Sequence, residues 1–284
     1  MDREDWSSQF LTKYMDPTQL QIEFRKYIKP FYIIQYICKE LKEKYQLLDN
    51  HVMRGAYTFF HKFSIVNNFL EKEQDFLPLY LACGSCILIS CKALNFLIPY
   101  NSVSQITVKR LNSKNENYNL KISNVKELLI NYEFDVLKSL GFNADLNLNT
   151  HFKPILEEEF KKIHPYLNCR FYEKFFNLIK EDINNTFILP ICVYYDINII
   201  ILSSLKNTFQ KAKIEFDFDL FIEKYYSFIN KDLLKECTNL VCKIKEFWIN
   251  NNKCSVDNQN NKNADFSNKN LISTNNSTPI ERLQ

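Results

Sequence analysis

FLPLYLACGSCILISCKALNF, residues 76–96, and NYEFDVLKSLGFNADLN, residues 131–147, are the two stretches that decide how this chain folds. The first carries no charged residue until Lys92. It falls short of the ~20 apolar residues that span a bilayer, and Gly84, Ser85 and Ser90 interrupt it. A segment that is apolar on every side and of this length reads as a helix buried inside a protein core. Lys92 then stands at its C-terminal end, where a cation interacts well with the helix dipole. The second stretch places Glu133 ahead of apolar positions that stop at Gly141.

Working outward, helical periodicity dominates. It predicts helices over 20–41, 49–63, 76–94, 101–110 and 122–140, with an exposed polar loop over 112–119. Thr18 reads as an N-cap of the first and Asp49 or Asn50 as the cap of the second. Pro30 removes one N–H and clashes with the preceding turn, so it is expected to kink the first helix or to start a new segment. Gly141 falls where a left-handed residue ends a helix. A second set of five follows over 151–163, 168–183, 196–211, 217–227 and 231–249, with the third of these again mostly apolar. The expected fold is all-α: an N-terminal helical extension over 1–24, one five-helix bundle over 25–147, another over 148–250, and an Asn-rich tail over 251–284. The tail has too few large apolar groups to offset the entropy of ordering and is expected to be disordered.

Composition narrows the function. The 284 residues are 46% hydrophobic and 15% aromatic, with 24 Phe and 16 Tyr, enough for a substantial core. The net charge of +3 is spread among both signs, without the basic stripe of a nucleic-acid-binding domain. Met1 is followed by Asp2-Arg3-Glu4-Asp5, with no apolar run of the secretory kind behind it. With three glycines in all, Gly55, Gly84 and Gly141, no phosphate-cradling loop can be assembled. His51, His61, His151 and His164 show no metal-ligand spacing, and no nucleophile elbow occurs. Cys83 and Cys86 share a helical face but Cys91 is turned away, so the three read as small packing residues rather than a zinc site. The Glu157-Glu158-Glu159 run reads as a solvated helix turn. No cofactor and no catalytic group are expected.

One family matches this pattern. Ala56-Tyr57-Thr58-Phe59-Phe60-His61-Lys62-Phe63, then Ser90-Cys91-Lys92-Ala93-Leu94-Asn95-Phe96, then Tyr132-Glu133-Phe134-Asp135-Val136-Leu137-Lys138-Ser139-Leu140-Gly141-Phe142 follow one another in an order that resembles the cyclins. The likeness covers residues 25 to about 250 and is greatest to the cyclin C and cyclin H type. Trp6-Ser7-Ser8-Gln9 and the stretch from Lys243 to Trp248 are also similar to the ends of those proteins. Leu94 and Asn95 stand where the family places acids.

The resemblance implies two tandem cyclin boxes and a non-catalytic subunit that binds and activates a cyclin-dependent kinase, in the cell cycle or in RNA polymerase II transcription. It implies a nuclear location, with the cytoplasm as a second compartment, and a third assembly subunit as a further partner. It further implies that Lys92 and Glu133 face the kinase and bind main-chain groups beside its mobile regulatory helix, with Phe142 as an apolar contact. From the residues alone, Lys92 reads equally as the end of a buried helix, and Glu133 as a helix-start residue or as the partner of Lys92. The rival reading is a cyclin-fold scaffold without kinase activation, like the core of general transcription factor B or a pocket protein.

Overall fold

The computed structural model describes residues 17–45, 50–72, 75–114, 119–144, 146, 152–166 and 169–259. The protein is all-α. The described helices are α1 (Pro17–Tyr45), α2 (Asn50–Asn67), α3 (Phe69–Lys72), α4 (Phe76–Ala93), α5 (Tyr100–Lys114) and α6 (Ile122–Ser139), followed by α7 (Phe152–Ile163), α8 (Cys169–Thr186), α9 (Ile197–Ala212), α10 (Phe218–Tyr225) and α11 (Lys231–Gln259). A 3-10 turn, Pro190–Val193, lies between α8 and α9. The chain divides into two compact units, one of residues 1–150 with 187–197, the other of 151–186 with 198–284.

The first unit is built around α4, which packs against α1, α2, α5 and α6. Against the expectation from its length, α4 is long and apolar enough to cross a membrane, but every residue from 79 to 91 is buried inside this unit. Its two serines explain how a polar hydroxyl survives there. Ser85 Oγ donates to the Leu129 carbonyl at 3.0 Å and Ser90 Oγ to that of Val52 at 2.8 Å, so each pins α4 to a flanking helix instead of being left unsatisfied. Cys83, Cys86 and Cys91 are buried free thiols, and burial pushes Cys91 up to about 12. No cluster of metal-ligating residues occurs among the described residues.

Two boundaries differ from expectation. Of the two outcomes expected at Pro30, a new segment does not occur: α1 is one helix from Pro17 to Tyr45. A proline inside a helix costs ~3 kcal/mol. Leu20, Phe24 and Tyr27 before it and Phe31, Ile34 and Ile37 after it are all buried, so packing holds both halves in one helix. The helix α11 continues to Gln259, past the expected start of the tail at 251. Residues 260–284 and Trp6 to Gln9 lie outside the described residues.

In the second unit the apolar helix α9 again lies deep. Ile200, Leu202, Leu205 and Phe209 are buried, as are Ser203, Ser204, Asn207 and Thr208. Phe209 meets Phe160 and Phe175 edge-on at 5.5 and 4.9 Å between ring centres. Three helices are tied across the polar side: Lys245 Nζ of α11 lies 3.1 Å from Asp182 Oδ2 of α8, and Thr208 Oγ1 of α9 donates to the same carboxylate oxygen at 2.6 Å. Asp217 caps α10, accepting from the Leu220 N–H at 2.9 Å.

Candidate docking edge

Lys92 occupies the last turn of α4, Tyr100 opens α5, and Glu133 lies within α6. Glu133 is therefore not at a helix start. It belongs to the buried set of its helix, with Val125, Leu129 and Val136. The chain turns back at the end of α4, and this brings the three side chains together. Lys92 Nζ lies 2.5 Å from Glu133 Oε1, across a separation of 41 residues, and 2.8 Å from Tyr100 Oη. Tyr100 Oη donates to Glu133 Oε2. The ammonium also lies 4.9 Å from the centre of the Tyr100 ring, within cation–π range.

Burial separates the two charges. The Glu133 side chain is 7% exposed and the Lys92 side chain 49%. Burial works against the Lys92 ammonium, but the hydrogen bonds to Glu133 and Tyr100 outweigh it and hold its pKa above the ordinary lysine value. The Tyr100 phenol is pushed up by burial and by the Glu133 carboxylate beside it.

Both helices that carry the pair end alike. After α4, the Asn95 N–H donates to the Lys92 carbonyl and the Phe96 N–H to that of Cys91, at 3.1 and 2.8 Å, with Asn95 at φ +60°. After α6, the Gly141 N–H donates to the Lys138 carbonyl and the Phe142 N–H to that of Leu137, at 3.0 and 2.8 Å. This is the Schellman arrangement, in which a left-handed residue lets two N–H groups satisfy the last carbonyls. Gly141, at φ +60°, fills that place as its position in the sequence predicts. Asn95 stands where the proteins that the sequence resembles place an acid, and Asn tolerates the left-handed region better than an acid of Glu's length. The presence of Leu94 has no such explanation.

Phe142 also has positive φ, +57°, and its side chain is 62% exposed. It does not join the Lys92–Glu133 pair. It meets Phe134 instead, edge-on at 5.9 Å between ring centres, and Phe134 is itself exposed. Leu97, in the turn after α4, is 91% exposed. Tyr100, Phe134 and Leu97 are additions to the residues picked from sequence. Phe134 was findable: at 3.6 residues per turn it falls on the side of α6 opposite Val125, so an aromatic ring there points away from the core. Tyr100 carried no such signal, because its role depends on a turn that returns α5 to Lys92.

No family model matches the chain, and no curated protein matches it. Among solved structures, a chain in the cryo-EM structure of the yeast TFIIK (Kin28/Ccl1/Tfb3) complex is similar at 18% identity. The likeness covers 79% of this chain and 94% of that one, with a TM-score of 0.47, too distant to bear on function.

Proposed function

We propose that this chain is a cyclin: a regulatory subunit, without catalysis of its own, that binds and activates a cyclin-dependent kinase acting in the cell cycle or in RNA polymerase II transcription. On this reading residues 25–147 and 148–250 are its two cyclin boxes, the nucleus is its main location, and a third subunit can join the complex. The observation that carries the reading is the meeting of Lys92 and Glu133 at 2.5 Å, with Phe134 of the same helix and Phe142 after its end both exposed. The sequence resemblance assigns these same two residues to kinase docking. Charged groups at the rim of an apolar patch fix orientation, while aromatic anchors such as Phe142 supply most of the binding energy.

The mechanism is a shift of population. A kinase alternates between conformers in which its regulatory helix and activation loop are or are not in place for phosphoryl transfer. A partner that contacts only the competent conformer raises its share in proportion to that differential affinity. The test is reconstitution with the cyclin-dependent kinases of the same organism, purified one at a time. A stable complex with at least one of them, and a large gain in its activity, is expected. Kinases that neither bind nor respond would overturn the reading.

A further inference from the structure

The chain passes between its two units three times, after residues 150, 186 and 197. The short segment Phe187–Ile197 returns from the second unit to complete the first. It reads FILPICVYYDI and carries one charge, Asp196, an unusual composition for a connection, since connections run over the surface. Phe187, Ile188, Leu189, Pro190 and Ile191 are all buried. The 3-10 turn gives the segment its shape, with the Tyr194 and Tyr195 N–H groups donating to the Ile191 carbonyl at 3.1 and 2.9 Å.

That turn packs against α2. Tyr57, Thr58 and His61 share one side of α2, being three and four residues apart. The Tyr57 ring stacks on Phe187, Thr58 stands beside the Cys192 thiol, and His61 Nε2 donates to the Phe187 carbonyl at 2.8 Å. From α1, the Tyr27 ring meets His61 edge-on at 4.9 Å between centres and backs the imidazole. Tyr194 lies within electrostatic reach of Tyr27 and Glu23 of the same helix.

The segment has no slack at either end. Thr186, the last residue of α8, directly precedes it. The Thr186 hydroxyl donates to the Ile183 carbonyl at 2.6 Å and lies 3.4 Å from Ser204 Oγ of α9. At the other end Ile197 is both the last residue of the segment and the first of α9. The segment therefore cannot leave α2 without moving the end of α8 or the start of α9, and close-packed interiors do not deform gradually.

We propose that Phe187–Ile197 is a strap that makes the two units open and close together, so that loss of either core releases the other. Without it, two units with separate cores would open independently, as sub-global units do. A partner held by the first unit alone would then protect the second by the same amount.

Native-state hydrogen exchange of the full chain in low urea tests this, with the amides of α4 reporting on the first core and those of α9 on the second. In the wild type both sets are expected to exchange through one opening with one urea slope. Val125→Ala, a core truncation in α6, is expected to lower protection in α9 by the same factor as in α4, roughly tenfold. In Phe187→Ala the two sets are expected to separate, each with roughly half the slope, and adding Val125→Ala is then expected to affect α4 alone. Should Phe187→Ala not fold, His61→Leu, which removes only the hydrogen bond to the segment, is measured in its place. Unequal slopes in the wild type, or α9 amides unmoved by Val125→Ala, overturn the proposal whatever the strap variants do. Coupling that persists undiminished in a folded strap variant overturns it as well, because the link then lies elsewhere.

Discussion

Gly55 of α2 and Ser90 of α4 approach so closely that a Cβ added to the glycine would lie 2.2 Å from Ser90 Oγ. The same added carbon would lie 2.5 Å from Leu146 Cδ1. Ser90 cannot easily turn aside, since its hydroxyl is committed to the Val52 carbonyl. Gly55→Ala is therefore expected to destabilise the protein by roughly 1–3 kcal/mol, the usual cost of overpacking. Adding Ser90→Ala removes the clashing oxygen but not Leu146, so only part of the loss is expected to return. Urea unfolding of the single and double variants measures both.

His61 is buried, and its Nε2 lies 2.8 Å from the Phe187 carbonyl. A carbonyl only accepts, so Nε2 carries the proton. Nδ1 has no hydrogen-bond partner among the described residues. Burial pushes the imidazole down to about 4, against the pull of the Phe187 carbonyl. In the unfolded chain the same group titrates near 6.5. Between these values the unfolded state binds a proton that the folded state does not, so stability is full above about 6.5 and is lost as pH falls toward about 4. The loss over that window is of order 3 kcal/mol. His61→Gln, which keeps a donor for Phe187, is expected to flatten this part of the pH–stability curve.

In the second unit, Lys245 is the group that cannot be left alone. Its side chain is 7% exposed, and burial draws its pKa below the ordinary lysine value despite Asp182. Asp182→Leu strands a buried cation and is expected to cost roughly 3–5 kcal/mol. The double variant Asp182→Leu with Lys245→Met removes both charges and is expected to unfold at a higher urea concentration than Asp182→Leu alone.

At Phe142 the proposed docking role can be told apart from a role in stability. Phe142→Gly relieves a left-handed backbone worth ~1–2 kcal/mol and gives up an edge-on ring contact worth ~0.5–1.5 kcal/mol. Thermal stability is expected to change by less than about 1 kcal/mol, while on the docking proposal the affinity for the kinase falls about tenfold or more. A comparable loss in both would show that the ring serves the fold.

Asn95 allows the family pattern to be tested against local backbone chemistry. Restoring an acid by Asn95→Glu is expected to lower stability by about 1 kcal/mol, because the site requires positive φ. Asn95→Gly is expected to be neutral or mildly stabilising.

Much of this architecture was legible from local pattern. The α4 helix announced its burial by having no polar side, and Gly141 announced the end of α6. The elements that were not legible depend on distant partners. No new segment starts at Pro30, because Phe31, Ile34 and Ile37 are buried on the far side of it, a packing gain that local propensity does not register. The four-residue α3 and the 3-10 turn at Pro190–Val193 are too short to show a period. At the candidate site, Lys92 and Glu133 were chosen because the resemblance marks them. Tyr100 was missed because nothing local distinguishes it from fifteen other tyrosines.

Residues 187–197 belong to the first unit although 36 residues of the second precede them in the chain, 151–186. Phe187 offers its carbonyl to His61 and its ring to Tyr57, 6.3 Å between centres. The first unit thus cannot be finished when its own stretch of chain has been translated. At ~5–20 residues per second, His61 and Tyr57 wait several seconds on the ribosome, facing water or a chaperone, until Phe187 emerges to cover them.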